Sequence, residues 1–133
     1  MATIYCIHMD IQGKNSFMIL ESIFNVFFLI FSKSTPQEEL LALVAQAGVN
    51  AVFQATGNKY TSGSSGKLLY VAPGGSDDYA LDVAKIPYAF TFEIGSEELG
   101  FAVPVEHIQT TVEEGWIAVK AMFETVLSLE QNN

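Results

Sequence analysis

The sequence predicts an α/β fold, and three stretches of the chain support this prediction. Residues 86–94 are apolar and rich in the aromatic residues that favour β-strands. Residues 36–56 and 111–129 instead repeat apolar residues at the three- and four-residue spacing of α-helices. Strands that alternate with helices along a chain are typical of α/β domains.

The first predicted helix, residues 36–56, has a start signal and a stop signal. Thr35 and Glu38 form a capping box with Pro36 at the first helical position, and Gly57 ends the helix. Its expected buried side carries small and apolar residues at helical spacing, namely Leu41, Val44, Ala45, Gly48 and Val52.

The region between the helices is predicted to contain short elements and turns. Residues 63–66, Gly-Ser-Ser-Gly, are expected to form a flexible turn, and residues 68–71 a short strand that ends before Pro73. Ser76 is then expected to cap a short helix with Asp77 and Asp78 in its first turn.

The last predicted helix, residues 111–129, follows two overlapping capping boxes in residues 110–114. One face of this helix is expected to contact the core. That face consists of Trp116, Val119, Phe123, Val126 and Leu127.

The composition indicates one folded domain with an acidic surface. The chain has 133 residues, of which 50% are hydrophobic and 16% charged, and its net charge is −9. All six basic residues are lysines. The negative charge argues against nucleic acid as a partner and makes an anionic membrane an unlikely one. The single cysteine, Cys6, excludes an internal disulfide.

Residues 1–35 differ from residues 36–133 and are treated as an unassigned N-terminal segment. Their charged residues cancel, so the net charge of −9 lies in residues 36–133. Residues 16–31 are apolar, but Glu21 and Asn25 interrupt them, and a membrane span needs about 20 apolar residues. Three interpretations stay open: a buried helix or strand, a membrane or signal element, or sequence foreign to the downstream domain.

Glu93 is the one residue of the predicted strand that does not suit a buried position. Side chains alternate between the two faces of a strand, so Phe90, Phe92 and Ile94 share one face while Thr91 and Glu93 lie on the other. Burial of an unpaired carboxylate costs several kcal/mol, roughly, unless it is paired, protonated or near a metal. From the residues alone, Glu93 is either a satisfied structural acid or a catalytic group.

An ordered series of motifs resembles the C-terminal portion of zinc metallocarboxypeptidases of the digestive carboxypeptidase A/B type. The motifs are Gly57-Asn-Lys-Tyr60, Leu69-Tyr70, Gly74-Gly-Ser-Asp-Asp-Tyr79, Tyr88-Ala-Phe-Thr-Phe-Glu93, Leu99-Gly-Phe101, Pro104 and Trp116. Each motif is weak alone, but their order and spacing over residues 36–131 are specific. The spacing departs by one extra residue between Gly75 and Glu93 and by one fewer between Glu93 and Phe101.

The resemblance implies a partial mixed-sheet α/β domain with helices on the sheet faces. Residues 36–133 would be the C-terminal part of a peptidase catalytic domain, and strand 86–94 would lie centrally in the complete domain. The resemblance also implies secretion and a role in removing C-terminal residues from peptides.

The resemblance assigns roles to four residues. Glu93 would be the general base that takes a proton from a zinc-bound water and passes one to the leaving amine. Tyr70 would close over the substrate, although a core position is its alternative reading. Asp77 would lie at the base of the side-chain pocket and favour basic C-terminal residues, unless it is simply a helix-start aspartate. Phe101 would line the neighbouring subsite or pack in the core.

The zinc ligands that the resemblance implies are not recognisable in this chain. The family binds Zn²⁺ through a His-x-x-Glu pair and a distant histidine, but Ile11 follows His8 by three residues and Thr110 follows His107 by three. The family also binds the substrate carboxylate with arginines, and the sequence contains none. The metal ligands are therefore expected to lie outside this chain.

Two functions are compatible with these observations. The first is a C-terminal fragment of a metallocarboxypeptidase that is inactive alone but carries the base and the specificity residues. The second is a non-catalytic truncated product or binding module without peptidase activity. Sequence preceding this chain that contains a His-x-x-Glu motif, arginines and a signal peptide would favour the first.

Overall fold

The computed structural model describes residues 4–9, 18–21, 28–31, 37–68, 75–94 and 103–132. The strands are β1 (Ile4–Met9), β2 (Met18–Glu21), β3 (Phe28–Phe31), β4 (Thr61–Ser64) and β5 (Tyr88–Glu93). The helices are α1 (Glu38–Thr56), α2 (Ser65–Leu68), α3 (Ser76–Asp78) and α4 (Val105–Gln131), and α3 continues into a π-helical turn, Tyr79–Val83. No helix in these ranges is both long and apolar enough to cross a lipid bilayer.

The five strands form one mixed sheet in the order β2-β1-β5-β3-β4. β5 pairs antiparallel with both β1 and β3, whereas β3 and β4 are parallel. The parallel pair is joined through α1, as parallel neighbours require a crossover connection. The sequence correctly predicts an α/β fold with a mixed sheet, and the strand predicted over residues 86–94 occupies the middle of the sheet.

Helices cover the two faces of β5 unequally. Tyr88, Phe90 and Phe92 face a core that also contains the buried sides of α1 and α4. Ala89, on the opposite face, packs with Ala80 of the π-helical turn and with Ile86. Phe90 and Phe92 are 0% and 1% exposed, so this strand is apolar on the side that the long helices cover.

The two long helices approach each other closely at Gly48 of α1. A Cβ atom at this position would lie 2.9 Å from Met122 Cγ and 3.2 Å from the Ala118 carbonyl oxygen. The absence of a side chain therefore sets the α1–α4 separation. All five residues predicted for the core side of α1, including Gly48, are buried.

Helix α1 begins at Glu38, two residues after its predicted start, with Gln37 as the N-cap. The Gln37 side chain makes no capping hydrogen bond, and the capping box of Thr35 with Glu38 stays a prediction. Glu38 accepts a hydrogen bond from Lys67 Nζ in an ion pair, so its carboxylate serves a contact distant in sequence. Thr35 and Pro36 lie outside the described residues. The stop signal is correct, since Gly57 caps the helix with φ 79°.

The turn predicted at residues 63–66 is wrong. Gly63 and Ser64 end β4, and Ser65 begins α2 directly. A Cβ atom on Gly63 would lie 3.0 Å from Leu68 Cδ1, so the glycine permits α2 to pack back on the strand. Leu68 is helical rather than the start of a strand, and the rest of the predicted strand, residues 69–71, lies outside the described residues.

Helix α4 is longer than predicted, and the set of residues that it buries differs from the predicted one. It begins at Val105 after the extended Pro104, so the supposed capping boxes of residues 110–114 lie inside it. Its buried residues are Glu114, Gly115, Ala118, Met122 and Val126, whereas Trp116, Phe123 and Leu127 are exposed. The predicted core face is confirmed at Val126, which is buried, and at Val119, which packs against the core. It is wrong at Trp116, Phe123 and Leu127, because smaller residues admit the close contact with α1.

Residues 1–35 contribute the backbone of three strands to the sheet. β1 pairs with β5 over Ile4–Met9, and β3 pairs with both β4 and β5. Whether a domain boundary separates residues 1–35 from 36–133 stays a prediction.

Candidate active site

Glu93 is the last residue of β5 and is half-buried. In the ladder with β1 it lies opposite Ile4, one end of a register that runs to Met9 and Tyr88. The preceding Phe92 is 1% exposed and locked in the main core. A carboxylate at the end of a well-packed central strand is held more rigidly than one in a loop.

The residue after Glu93 is anchored to α4. A Cβ atom on Gly115 would lie 2.8 Å from Ile94 Cδ1, so the glycine provides the space that the Ile94 side chain occupies. Ile94 also packs against the main core. Glu93 is thus held between two residues whose side chains point the other way into the core, as the alternation of the strand predicts.

Asp77 is a buried carboxylate in the short helix α3, with 8% of its surface exposed. Burial raises the pKa of Asp77, and the negative charge of Asp78 adds to the rise. Hydrogen bonds from the backbone N–H groups of Asp77 and Asp78 oppose it. The carboxylate folds back over Gly75, where a Cβ atom would overlap Oδ1. Glycine at position 75 is therefore needed for this placement of Asp77.

The helix that carries Asp77 packs on the face of the sheet to which Glu93 belongs. Helix α3 contacts β1 and β5, and Ala80, which follows it, packs against Ala89. Ala89, Thr91 and Glu93 share one face of β5 because side chains alternate. Helix α3, which carries Asp77, therefore lies on the face of β5 to which Glu93 belongs.

Two predicted site residues, Tyr70 and Phe101, lie outside the described residues, and their roles stay predictions. Within the ranges that the structure describes, no three His, Cys, Asp or Glu side chains are grouped so that they could hold a metal ion. The described residues thus do not fit a zinc centre by themselves.

Glu114 is a buried acid that the sequence analysis misread as part of a helix cap. It lies in α4 with 5% of its surface exposed. Its Oε1 accepts a hydrogen bond from Asn58 Nδ2 and its Oε2 accepts one from the Tyr60 hydroxyl. Both donors belong to the Gly57–Tyr60 motif, so the carboxylate ties the segment between α1 and β4 to α4. The Gly57–Tyr60 motif was the sequence signal that could have drawn attention to this contact. The sequence does not indicate that Glu114 is the acceptor.

The sequence and the fold match those of known proteins. The profile of a family described as zinc carboxypeptidase matches residues 9–118. Among curated proteins, carboxypeptidase B2 of Bos taurus is 43% identical over 90 residues, which are 66% of this chain and 21% of that protein. Carboxypeptidase B of Canis lupus familiaris is 40% identical over 96 residues, 71% of this chain and 23% of that protein. The chain thus spans between a fifth and a quarter of the length of these relatives.

Two solved structures share the fold of this chain and are also similar to it in sequence. Bovine thrombin-activatable fibrinolysis inhibitor, solved in complex with tick carboxypeptidase inhibitor, is similar with a TM-score of 0.69 and 37% identity over 77% of this chain and 37% of that chain. A second structure of thrombin-activatable fibrinolysis inhibitor gives a TM-score of 0.71 at 35% identity, covering 77% of this chain and 27% of that one.

Proposed function

Since the chain belongs to the zinc carboxypeptidase family, we propose that it is the C-terminal part of a peptidase catalytic domain that removes basic residues from peptide C-termini. The observation that supports this proposal most is that Glu93 and the helix carrying the buried Asp77 lie on one face of the sheet. In the proposal Glu93 handles protons and Asp77 recognises the substrate. An extracellular location is part of the same proposal and follows from the family resemblance.

Glu93 is proposed as the general base. Its place at the end of β5 lets it accept a proton from a water that attacks the scissile carbonyl, and then donate a proton to the leaving amine. In a complete family member zinc would polarise the carbonyl and make the water more acidic. The contribution of this chain is the fixed position of the carboxylate, which Phe92 and Ile94 hold from the opposite side of the strand.

Asp77 is proposed as the group that binds a lysine or arginine side chain of the substrate. Its pKa is raised mainly by burial, which means that the ionised form is poorly solvated where it lies. A cationic side chain brought beside it would restore that lost solvation, and charge pairs attract more strongly in such surroundings than in water. The backbone N–H bonds to the carboxylate are the observation that favours the alternative of a purely structural helix-start aspartate.

The 133-residue chain is proposed to lack peptidase activity on its own. Its described residues offer no group of metal ligands, and a carboxylate without such a centre activates water poorly. Tyr70 and Phe101 are proposed to contact the substrate in a complete domain. The competing function, a non-catalytic product or binding module, is favoured by the same lack of a metal group in the described part of the chain.

The specificity proposal is tested in a chimera that carries the matched segment of this chain in place of the corresponding segment of bovine carboxypeptidase B2. Release of C-terminal Arg and of C-terminal Leu is measured on otherwise identical peptides. Asp77→Ile is expected to lower kcat/KM for Arg by roughly 100-fold or more, because the basic group loses its desolvated partner. Asp78→Asn is the matched control and should leave the preference unchanged. An unchanged Arg-to-Leu ratio in the Asp77→Ile chimera would refute the assignment.

The catalytic proposal is tested with the same chimera and with the chain itself. Glu93→Gln in the chimera keeps the shape of the side chain and removes the base, so kcat should fall by roughly 10²–10⁴-fold. Near-normal kcat would rule out Glu93 as the base. For the 133-residue chain, zinc titration and C-terminal residue release should show neither tight stoichiometric binding nor turnover. Zinc-dependent turnover by the chain alone would contradict its proposed inactivity.

A further inference from the structure

The outward face of α4 carries a continuous apolar surface, here called the outer stripe. Its members are Val105, Ile108, Val112, Trp116, Phe123 and Leu127, and they are exposed by 38–82%. Their separations of three, four and seven residues place them on one side of the helix. The opposite side of α4 is already packed against α1 and β5. The outer stripe is therefore a second apolar face that stays exposed among the elements that the structure describes.

The ends of the outer stripe are symmetric about Trp116, whereas the two positions four residues from it are the apolar Val112 and the charged Lys120. Val105 and Leu127 each lie eleven residues from it, and Ile108 and Phe123 lie eight and seven residues from it. When two copies of α4 cross antiparallel at Trp116, Val105 of one copy lies opposite Leu127 of the other, and Ile108 lies opposite Phe123 within one residue. A surface of this kind is complementary to itself under a twofold rotation, which is the requirement for an isologous dimer.

The size of the outer stripe suits such a contact. The six partly exposed side chains offer on the order of 600 Å² of apolar surface, against about 800 Å² per partner in a standard stable interface. Polar residues at its margin would supply the rest of the buried area. Trp116 lies at the centre and is 66% exposed, the position and residue type at which binding energy is usually concentrated.

The charges beside the outer stripe include a complementary pair. Glu113 and Lys120 lie three and four residues on either side of Trp116, so the antiparallel crossing brings Glu113 of one copy opposite Lys120 of the other. Within one chain Lys120 Nζ lies 3.9 Å from Oε1 of the exposed Glu124, a long ion pair. The net charge of −9 opposes self-association at low ionic strength, so salt near 0.15 M is the appropriate condition.

We infer that the outer stripe binds a second copy of this chain, forming an antiparallel α4–α4′ dimer with Trp116 on the twofold axis. The 133-residue chain would form this dimer whether or not it has peptidase activity. The dimer is discrete and uses one face, in contrast to general aggregation through exposed apolar surface.

Analytical ultracentrifugation of the purified chain from about 1 to 200 μM tests the stoichiometry, a range that brackets weak specific association. The expected result is a reversible shift from one chain mass to twice that mass. Trp116→Glu should raise the dissociation constant roughly 30-fold or more, since it removes the central residue and places two carboxylates on the axis. Thr110→Glu adds the same charge at an exposed position off the outer stripe and should leave the dimer intact. Circular dichroism checks that both variants keep the fold.

A disulfide cross-linking experiment tests the orientation. In the antiparallel dimer Val112 of one copy lies opposite Val119 of the other within one residue. Val112→Cys with Val119→Cys should therefore give a cross-linked dimer under mild oxidation, with a 112–119′ bond in peptide mapping. Within one chain these positions are about 10 Å apart along the helix, beyond the ~7 Å that a disulfide allows. Val112→Cys alone should give no 112–112′ bond.

The outcomes are distinct. A chain that stays monomeric throughout the concentration range, or a dimer that Trp116→Glu leaves unchanged, overturns the inference. A 112–112′ bond indicates parallel pairing and also overturns it. Monomer that acquires protection of Trp116 only when other carboxypeptidase sequence is fused to the chain assigns the outer stripe to an intramolecular contact instead, and likewise refutes the dimer.

Discussion

The hydrogen bond between Tyr88 and Glu130 leads to a quantitative prediction about alkaline stability. Tyr88 begins β5 and is 3% exposed, and its hydroxyl donates to Glu130 Oε1 at 2.9 Å. Burial raises the pKa of Tyr88 to about 12, and the hydrogen bond to Glu130 and its negative charge add to the rise. The unperturbed value is 10.0. The folded protein therefore holds this proton more tightly than the unfolded chain does.

The sign and size of the effect follow from linkage. Because the folded pKa is higher than the unfolded one, the stabilisation is complete below pH 10 and is lost as the pH rises towards 12. Two pKa units correspond to about 2–3 kcal/mol of unfolding free energy. Tyr88→Phe cannot ionise, so its unfolding free energy should lack this decline. The difference between wild type and Tyr88→Phe should therefore shrink by about 2–3 kcal/mol between pH 9 and 12.5.

Urea unfolding at a series of pH values measures this difference, and the subtraction removes the titration of the other tyrosines and of the lysines. Ultraviolet difference titration of the two proteins reports the tyrosinate of Tyr88 directly. Glu130→Gln retains an acceptor without the charge and should lower the pKa only in part, because burial is the largest cause. Glu124→Gln, exposed on the same helix, is the control. A flat stability difference, or a Tyr88 titration near 10, would refute the reasoning.

Three further substitutions probe the buried carboxylates and the helix contact. Asp77→Asn should raise the melting temperature at pH 7, because burial raises the pKa of Asp77 and makes its ionised form unfavourable; the gain should vanish as the pH falls towards about 3, where the carboxyl is protonated in both states. Gly48→Ala should lower the unfolding free energy by about 1–2 kcal/mol despite better helix propensity, since its Cβ would lie 2.9 Å from Met122 Cγ. Glu114→Gln should cost roughly 1–3 kcal/mol in urea unfolding, because its single amide oxygen cannot replace both carboxylate oxygens that accept hydrogen bonds from Asn58 and Tyr60.

Matched variants make these three results interpretable. Asp78→Asn should show no gain at pH 7, and an equal gain would indicate a general charge effect. Met122→Ala should partly rescue Gly48→Ala in the double variant; strict additivity would mean that the two residues do not compete for space. Glu113→Gln, exposed beside Glu114, should be nearly neutral, and a comparable loss there would count against the buried contact.

The fold class and the central strand were predictable because their signals are local. Residues 86–94 have strand composition throughout, and the buried side of α1 is marked by Leu41, Val44 and Val52 at helical spacing, with small residues between them. The core face of helix α4 was predicted correctly only at Val119 and Val126. Trp116, Phe123 and Leu127 were misplaced because the helix has two apolar sides. The inner side uses Gly115 and Ala118, which contribute little hydrophobicity but allow close packing, so periodicity alone favours the side with Trp116.

Residues of the candidate site were predictable only where they belong to a recognisable motif. Glu93 and Asp77 stood out as acids in unusual surroundings, a buried strand and a glycine-rich turn. The bonds from Asn58 and Tyr60 to Glu114 join residues more than fifty positions apart, and no local pattern indicates them. The ion pair between Glu38 and Lys67 was not predictable for the same reason, because the two residues become partners only after the chain has folded.

The position of β5 has a consequence for the order in which the chain can fold. β1 and β2 form an antiparallel pair and β3 and β4 a parallel pair, and β5 lies between them. During synthesis both pairs emerge before residues 88–93 exist, and two-stranded pieces are at best marginally stable alone. The contact of Ile4 with Glu93 closes a loop of almost ninety residues, which is characteristic of slow folding. Because β5 joins the two pairs, the five-stranded sheet cannot be complete until residues 88–93 are in place, so the same strand both closes the sheet and positions Glu93.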